Sequence, residues 1–444
     1  MSRQHKIPVI IDTDPGVDDI VAILLALASP ELDILAFIVS FGNTDLDASY
    51  SNILKVYKAL AREFDENPAH QERFPNFSRS AKPILARGSS APLEGHLHSA
   101  QYFHGRDGLG GISERHPDLN ITEASLTKDH PQLTLTDKPG VDVALELIRE
   151  NPSRSITYIA LGPLTNLACM MQKDGDLIRA KIGRIVCMGG ALDVPGNTSP
   201  VAEFNFFADP YAVKDLLLST KPSSGLPLDR FILLPLDITT YHELPFPTYQ
   251  RKVDPSFDSC LSPSLAAGKS PLVHFTSSFL ERTREIMLKF GKDAMELHDI
   301  VAVWCAIENP PGREVSAGWK TRSRVFDIER TGELTRGMLV VDRREDDSAY
   351  APGANRAEVQ AELERANLPH GVWESTAVPA QVETEQEPTG QPAAPGVLCA
   401  VLKSPANALI ITHSAQPVAE SSQNGTGMPK EDGHVYDLAA QSNS

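Results

Sequence analysis

The chain contains 444 residues, 41% of them hydrophobic, so it is long enough to bury a large core in one domain or several. Its net charge of −17 argues against nucleic acid or an anionic membrane as a partner, because both attract basic surfaces. Five scattered cysteines, odd in number and without CxxC or CxxH spacing, disfavour a disulfide scaffold or a zinc site and fit a reducing compartment.

Targeting and membrane signals are weak in this sequence. The apolar run at residues 7–11 is too short for the core of a signal peptide. The longest apolar run, residues 20–28, is far shorter than a membrane span. We therefore expect a cytoplasmic protein, with the nucleus as the alternative, that does not enter a membrane.

Short β-branched runs alternate with amphipathic segments along the first half of the chain. The predicted strands are residues 7–11, 33–39, 83–87, 155–161, 182–188 and 230–239. The predicted helices are residues 18–28, 47–61, 141–150, 163–171 and 209–218. Such alternation is typical of βαβ units, and the continuous apolar strands fit a sheet covered on both faces. We predict an α/β fold, a single large domain with a mostly parallel central sheet and helices on both faces.

Polar segments interrupt this alternation at about residues 62–82, 112–140 and 374–395. We interpret them as surface insertions or loops of a domain that spans residues 1–415. Within it, residues 358–366 are a candidate helix, and residues 396–414 are candidates for one last strand and helix. Residues 416–444 are rich in Gly, Ser, Gln and acids, so we expect a disordered acidic tail.

Four aspartates crowd around a Pro-Gly turn between the first predicted strand and helix: Asp12, Asp14, Asp18 and Asp19. In a parallel sheet this turn lies at the carboxyl ends of the strands, where ligands bind. Helix capping would explain one Asp there. Four acids repel one another and require a cation, and hard carboxylates without nearby Cys or His suit Ca²⁺ or Mg²⁺.

Two further polar clusters follow along the chain. His298 and Asp299 open an apolar helix and offer a proton donor and another oxygen ligand, although His298 alone is more often a capping or packing residue. Asn197, Glu203 and Asn205 crowd a loop before a helix. They suit the hydroxyls of a sugar or, equally, form an Asx turn beside a solvated Glu.

Four motifs occur in order along the chain: DTDPGVDD, MGG at residues 188–190, GN followed by VAEFN, and HD before a helix. Over about residues 6–341 the sequence resembles the inosine-uridine preferring nucleoside hydrolases. The resemblance implies a Rossmann-like nucleoside hydrolase fold and hydrolysis of the N-glycosidic bond of uridine- or inosine-type ribonucleosides to free base and ribose. It also implies a bound Ca²⁺ and a homodimer or homotetramer.

The resemblance assigns roles to single residues. Asp14, Asp19 and Asp299 match carboxylate ligands of Ca²⁺, and Leu161 matches the position whose backbone carbonyl binds the ion. Asp14 also matches the general base for the Ca²⁺-bound water, and His298 matches the residue that aids departure of the base. The remaining matches are to residues that contact the substrate. The residue near the nucleobase is His104, and those at the ribose are Asp18, Asn43, Met188, Asn197, Glu203 and Asn205.

Several features qualify this assignment. Asp12 is expected to support the ligands rather than bind the ion. One extra residue between MGG and GN changes the loop at residues 192–196. Trp304 is expected in the core, which favours a broad or uridine-inclusive preference over purine stacking. Two alternatives are a haloacid dehalogenase-like phosphatase, whose acids also follow a first strand, and a Ca²⁺-dependent nucleoside-binding protein or scaffold without activity.

Overall fold

A computed structural model of the chain describes residues 6–78, 82–122, 129–218, 225–341 and 397–403. The strands are β1 (Ile7–Thr13), β2 (Leu32–Val39), β3 (Ile84–Arg87), β4 (Thr134–Leu135), β5 (Thr157–Ala160), β6 (Arg184–Met188), β7 (Phe231–Leu234), β8 (Glu243–Pro245), β9 (Ala294–Glu296), β10 (Lys320–Ile328), β11 (Leu339–Val341) and β12 (Val397–Lys403). The helices are α1 (Val17–Ala28), α2 (Leu46–Glu66), α3 (Gln101–His104), α4 (Ile112–Arg115), α5 (Gly140–Glu150), α6 (Thr165–Lys181), α7 (Phe204–Ala208), α8 (Pro210–Leu217), α9 (Leu236–Thr239), α10 (Phe246–Lys252), α11 (Pro271–Lys289) and α12 (His298–Glu308).

Ten of these strands form one sheet with the order β11-β10-β12-β7-β6-β5-β1-β2-β3-β4. In this order, each strand from β12 through β7 and onward to β4 is parallel to its neighbours in that run. Strands β10 and β11 extend the sheet in antiparallel fashion at one edge. Strands β8 and β9 form a separate antiparallel pair. The predicted α/β fold with a mostly parallel central sheet is confirmed.

The central strand β1 shows that the sheet is buried on both faces. Val9, Ile10 and Ile11 point alternately to the two faces, and none of them is exposed. Helices α5, α6 and α8 pack with Ile10 in the apolar core of one face. Helices α1, α2, α11 and α12 contact one another and cover the other face. The carboxyl ends of the strands stay open, and a ligand crevice is expected there.

Three sequence predictions for individual segments are wrong. The strand predicted over residues 230–239 ends at Leu234, because Pro235 has no N–H for the ladder, and helix α9 follows. The region 112–140, predicted as a loop, contains helix α4 and edge strand β4. The region 62–82 is not only a surface insertion, because α2 extends into it and its Phe64 and Phe77 rings pack together while buried.

The C-terminal predictions divide into two groups. The predicted last strand is β12, which lies between β7 and β10. The other C-terminal predictions lie outside the described residues, namely the helix over residues 358–366, the insertion at 374–395, the helix after β12 and the tail at 416–444. Among the described residues, no helix is both long enough and apolar enough to cross a membrane.

Candidate active site

A cavity of about 450 Å³ opens where β2, β5 and β6 end. All but two of the residues predicted for the site line it: Asp18, Asn43, His104, Leu161, Met188, Asn197, Glu203, Asn205, His298 and Asp299. The other two, Asp14 and Asp19, are fully buried. Asn43 connects them to the cavity, since its backbone N–H donates to Asp14 and its side chain donates to Asp19. The fold thus brings the three sequence clusters together.

The turn between β1 and α1 is built around the carboxylate of Asp19. The hydroxyl of Thr13 and the backbone N–H of Gly16 donate to it at 2.6 and 3.0 Å, and the side-chain amide of Asn43 donates at 2.8 Å. Gly16 packs against the ring of His104, so a Cβ at this position would lie 2.6 Å from Nδ1. These contacts fix Asp19 in the first turn of α1, where the helix dipole favours an acid.

The carboxylate of Asp14 has one occupied and one free oxygen. The backbone N–H of Asn43 donates to Oδ2 at 2.7 Å. Oδ1 is buried, and no residue in the described part of the chain hydrogen-bonds to it. The backbones of Gly42 and Gly162 approach so closely that a Cβ would lie 2.0 Å from Oδ2 and 2.4 Å from Oδ1, respectively. A buried carboxylate oxygen without a partner is costly, which indicates a ligand that the chain itself does not supply.

The aspartates together fit a cation. One oxygen from each of Asp18, Asp19 and Asp299 lies within 4.8 Å of the others. Burial, and then the charges of neighbouring aspartates, raise the pKa of Asp14 and of Asp299 well above that of an ordinary Asp. A divalent cation would offset this repulsion, and a set of oxygen donors suits a hard ion. Asp18, predicted to contact ribose, lies within this group.

Asp12 has both carboxylate oxygens occupied. The hydroxyl of Tyr158 and the side-chain amide of Asn166 donate to them at 2.7 and 2.8 Å. Burial raises the pKa of Asp12 to about 7. Its backbone carbonyl accepts from the N–H of Leu161 at 2.8 Å, which ties the end of β5 to β1. This arrangement suits a residue that supports the metal ligands rather than one that binds the ion.

The cluster of Asn197, Glu203 and Asn205 is held in place by its own hydrogen bonds. Glu203 caps α7: one oxygen accepts from the backbone N–H of Asn205 at 2.7 Å, and the other accepts from a backbone N–H of the MGG segment at 2.8 Å. Nδ2 of Asn205 donates to the carbonyl of Leu161 at 2.6 Å. Oδ1 of Asn197 accepts from the N–H of Phe204 at 2.9 Å. Glu203 is therefore buried and capping rather than solvated.

His298 is held at both nitrogens of its ring. Nδ1 lies 2.8 Å from the hydroxyl of Thr239, and Nε2 lies 3.2 Å from Oε2 of Glu296. Lys292 donates to the other oxygen of Glu296 at 2.7 Å. Burial lowers the pKa of His298, but the bond to Glu296 and the charge of Asp18 raise it overall. Thr239, Glu296 and Lys292 were not predicted for the site, and their only signal in the sequence is an acid two residues before HD.

His104 presents a neutral ring to the cavity. Its Nδ1 accepts from the backbone N–H of Val17 at 3.1 Å, so the ring proton is on Nε2. Burial lowers the pKa of His104 to about 3. Trp304 lies in the core against Trp319, as predicted. The cavity also has an apolar lining that was not predicted from the sequence and includes Phe103, Phe204, Met287, Phe290 and Met295.

The family model of inosine-uridine preferring nucleoside hydrolases matches residues 9–370. The chain belongs to this family. A pyrimidine-specific ribonucleoside hydrolase of Shewanella sp. (strain MR-4) is 31% identical to this nucleoside hydrolase over 349 residues, which cover 76% of this chain and 86% of the relative. The enzyme of the same name from Salmonella arizonae is 32% identical over 336 residues, with 76% and 88% covered. An uncharacterized protein of Schizosaccharomyces pombe is 31% identical over 335 residues, with 75% and 88% covered.

Solved structures of similar fold are also nucleoside hydrolases. A plant nucleoside hydrolase aligns with a TM-score of 0.56 and 25% identity, covering 82% of this chain and 99% of its own. A purine-preferring ribonucleoside hydrolase from Gardnerella vaginalis aligns with a TM-score of 0.55 and 22% identity, covering 77% and 90%. The predicted family, the fold and the hydrolysis of ribonucleosides to base and ribose are confirmed. The family assignment overrules the phosphatase and the inactive binding protein.

Proposed function

We propose that this nucleoside hydrolase cleaves uridine- and inosine-type ribonucleosides with Ca²⁺ held by Asp14, Asp19, Asp299 and the carbonyl of Leu161. The observation that carries the proposal is the group of Asp18, Asp19 and Asp299 at a cavity of about 450 Å³, together with the buried, unpartnered oxygen of the neighbouring Asp14. When bound, such an ion supplies positive charge that lowers the pKa of a water molecule. Oxygen donors alone favour Ca²⁺ over zinc, which prefers sites with nitrogen or sulfur ligands.

Asp14 is the proposed general base. Asn43 fixes Oδ2, which leaves Oδ1 to accept the proton of the attacking water. The close backbones of Gly42 and Gly162 restrict movement of the carboxylate. The general base is therefore aligned before the substrate binds. Such alignment lowers the barrier because the reacting groups need no further ordering.

The ribose is proposed to bind between Asp18 and the cluster of asparagines. Cleavage of a glycosidic bond passes through a cation-like sugar. Asp18 has a buried oxygen without a hydrogen-bond partner in the described segments, and its charge would stabilise that cation together with Glu203. Asn43, Asn197 and Asn205 supply amide groups for the hydroxyls, and Met188 supplies an apolar contact. All of these residues line the same cavity.

The nucleobase is proposed to leave with help from two histidines. His298, whose ring is fixed by Thr239 and Glu296, donates a proton or a hydrogen bond to the departing base. General acids of this kind contribute roughly 10²–10⁴-fold to a rate. His104 carries its proton on Nε2 and suits a carbonyl oxygen of the base. Uridine offers such oxygens, and the names of the two bacterial relatives support a substrate range that includes pyrimidines.

Assembly and location complete the proposal. We expect a homodimer or homotetramer, as the family resemblance implies, and a location in the cytoplasm. Light scattering on the purified chain measures the first, and a monomer would contradict it. Imaging of the tagged chain measures the second, and a location outside the cytoplasm would contradict it.

A reducing-sugar assay across uridine, cytidine, inosine and adenosine tests the function. We expect ribose from uridine and inosine, loss of activity with a Ca²⁺ chelator, and loss of activity in Asp14→Ala. Absence of ribose from every nucleoside would refute the proposed substrates. Normal turnover by Asp14→Ala would refute the assignment of the base. A parallel phosphate assay on nucleotides controls for phosphatase activity.

A further inference from the structure

A second group of metal-binding side chains lies outside the active site. One ring nitrogen each from His116 and His274 and one carboxylate oxygen from Asp118 lie within 4.8 Å of one another. Both histidines are buried, whereas the side chain of Asp118 is half-exposed. None of the three lines the active-site cavity. We propose that these residues bind a divalent transition metal ion, for which Zn²⁺ is the best match because its usual ligands include imidazole and carboxylate.

The surroundings of the two rings suit this role. A histidine that binds a metal through one ring nitrogen keeps a proton on the other and donates it to a neighbour. Nδ1 of His274 lies 3.0 Å from the hydroxyl of Ser264. Nε2 of His116 lies 3.3 Å from Oε2 of the buried Glu281 and 3.2 Å from Nη1 of Arg115, which itself pairs with Glu281. Ser264 and Glu281 can accept the protons that metal-bound histidines retain, whereas the charge of Arg115 opposes a cation at His116.

The other nitrogen of His274 supplies an independent observation. Nε2 is buried, and no described residue hydrogen-bonds to it. Oδ2 of Asp118 lies 3.3 Å away but without the alignment of a hydrogen bond. Two atoms bound to one tetrahedral Zn²⁺ at about 2.0–2.1 Å are separated by about 3.3 Å. An ion between these two atoms would bind both and would replace the poorly aligned contact of the buried nitrogen with Asp118.

The site is accessible and has room for a further ligand. Asp118 and His274 both line a second cavity of about 310 Å³. Two lysines also line this cavity. Lys58 donates to the backbone carbonyl of Asp118, and Lys269 pairs with Asp254. Their charges oppose a cation, so we expect weaker binding than at a structural zinc site made of thiolates. A water molecule from the cavity would complete the coordination.

A bound ion would join two segments that form walls of the active-site cavity. His116 and Asp118 follow α4, in the same segment that supplies His104. His274 lies in α11, whose last turns bring Met287 to the cavity. The ion would therefore fasten the base-binding side of the cavity to α11 without touching the substrate.

Titration of the full-length protein with Co²⁺ tests the site. The protein is stripped of transition metals, kept in Ca²⁺ and followed by the visible absorption of four-coordinate Co²⁺. We expect one Co²⁺ per chain, displaced by Zn²⁺. His274→Ala should abolish the absorption, and Asp118→Asn, a change at a half-exposed side chain, should weaken binding by about tenfold or more. Asp14→Ala and the surface control His70→Ala should bind Co²⁺ as the wild type does.

Three outcomes would overturn the proposal. The first is the absence of four-coordinate absorption in the wild-type protein. The second is unchanged Co²⁺ affinity in Asp118→Asn, which decides the question even where His274→Ala does not fold. The third is loss of the absorption in Asp14→Ala, because that would place the ion at the active-site carboxylates. Ribose release in Ca²⁺ is measured separately, so its outcome does not affect this test.

Discussion

Replacing Gly162 by Ala is expected to displace the carboxylate of Asp14, the proposed general base, while leaving the fold intact. Gly162 follows Leu161 after β5, and a Cβ there would lie 2.4 Å from Oδ1 of Asp14. Ordinary van der Waals contact begins at 3.4 Å, so the two atoms must separate by about 1 Å. The carboxylate has little room, because Asn43 holds its other oxygen and Gly42 packs against it. A misplacement of about 1 Å costs on the order of 10²-fold in rate, which is the fall in kcat/KM that we expect.

Two measurements check this prediction: the rate of ribose release from uridine and the thermal unfolding of the protein. The backbone of Gly162 is outside the left-handed region, so the substitution adds no backbone strain, but the crowded Cβ should lower the free energy of unfolding by about 1–3 kcal/mol. Gly175→Ala in α6 is the matched control, because the nearest atom there is the flexible end of Arg179. It should leave kcat/KM unchanged. A Gly162→Ala protein with wild-type kcat/KM would refute the role of Oδ1 and the rigidity of its surroundings.

Glu296→Gln should lower kcat for uridine by about 10²-fold, because His298 loses the partner that orients it. The kcat for 4-nitrophenyl riboside should not change, because its leaving group needs no proton. Equal losses on both substrates in kinetic assays would contradict this positioning role. His104→Ala should lower kcat/KM for uridine by about tenfold through loss of one hydrogen bond, without changing kcat/KM for the nitrophenyl substrate. An unchanged kcat/KM for uridine would show that the nucleobase binds elsewhere. Ending the chain after Ser414 should preserve soluble yield and activity, whereas ending it before β12 should cause aggregation by exposing the edges of β7 and β10. A soluble, active chain without β12 would show that this strand is dispensable.

Local sequence patterns were sufficient for β1 and α1, the two elements that position Asp14 and Asp19. The apolar run before DTDPG and the amphipathic run after it identify β1 and α1, because side-chain periodicity and turn residues are local properties. Pairing between distant segments has no local signal. Strand β12 could be recognised as apolar, but its place between β7 and β10 depends on contacts with residues more than 70 positions away.

The site shows the same division. Asp14 and Asp19 stand out because several acids share one short turn, and Asp299 stands out because it opens an apolar helix. Thr239 carries no such signal, since a threonine near the start of a short helix is common and its contact with His298 exists only in the fold. The spacing of the cysteines argued against a zinc site and could not reveal His116 and His274, because these histidines come from different segments and meet only after folding.

Calcium reconstitution tests the central claim most directly. The purified protein is stripped with a chelator, and Ca²⁺ is added back while bound Ca²⁺ and ribose release from uridine are measured on the same samples. We expect activity to return in proportion to one bound Ca²⁺ per chain, and we expect Asp299→Asn to show greatly weakened binding and little activity. Full ribose release by the stripped protein, without any bound divalent ion, would contradict the account.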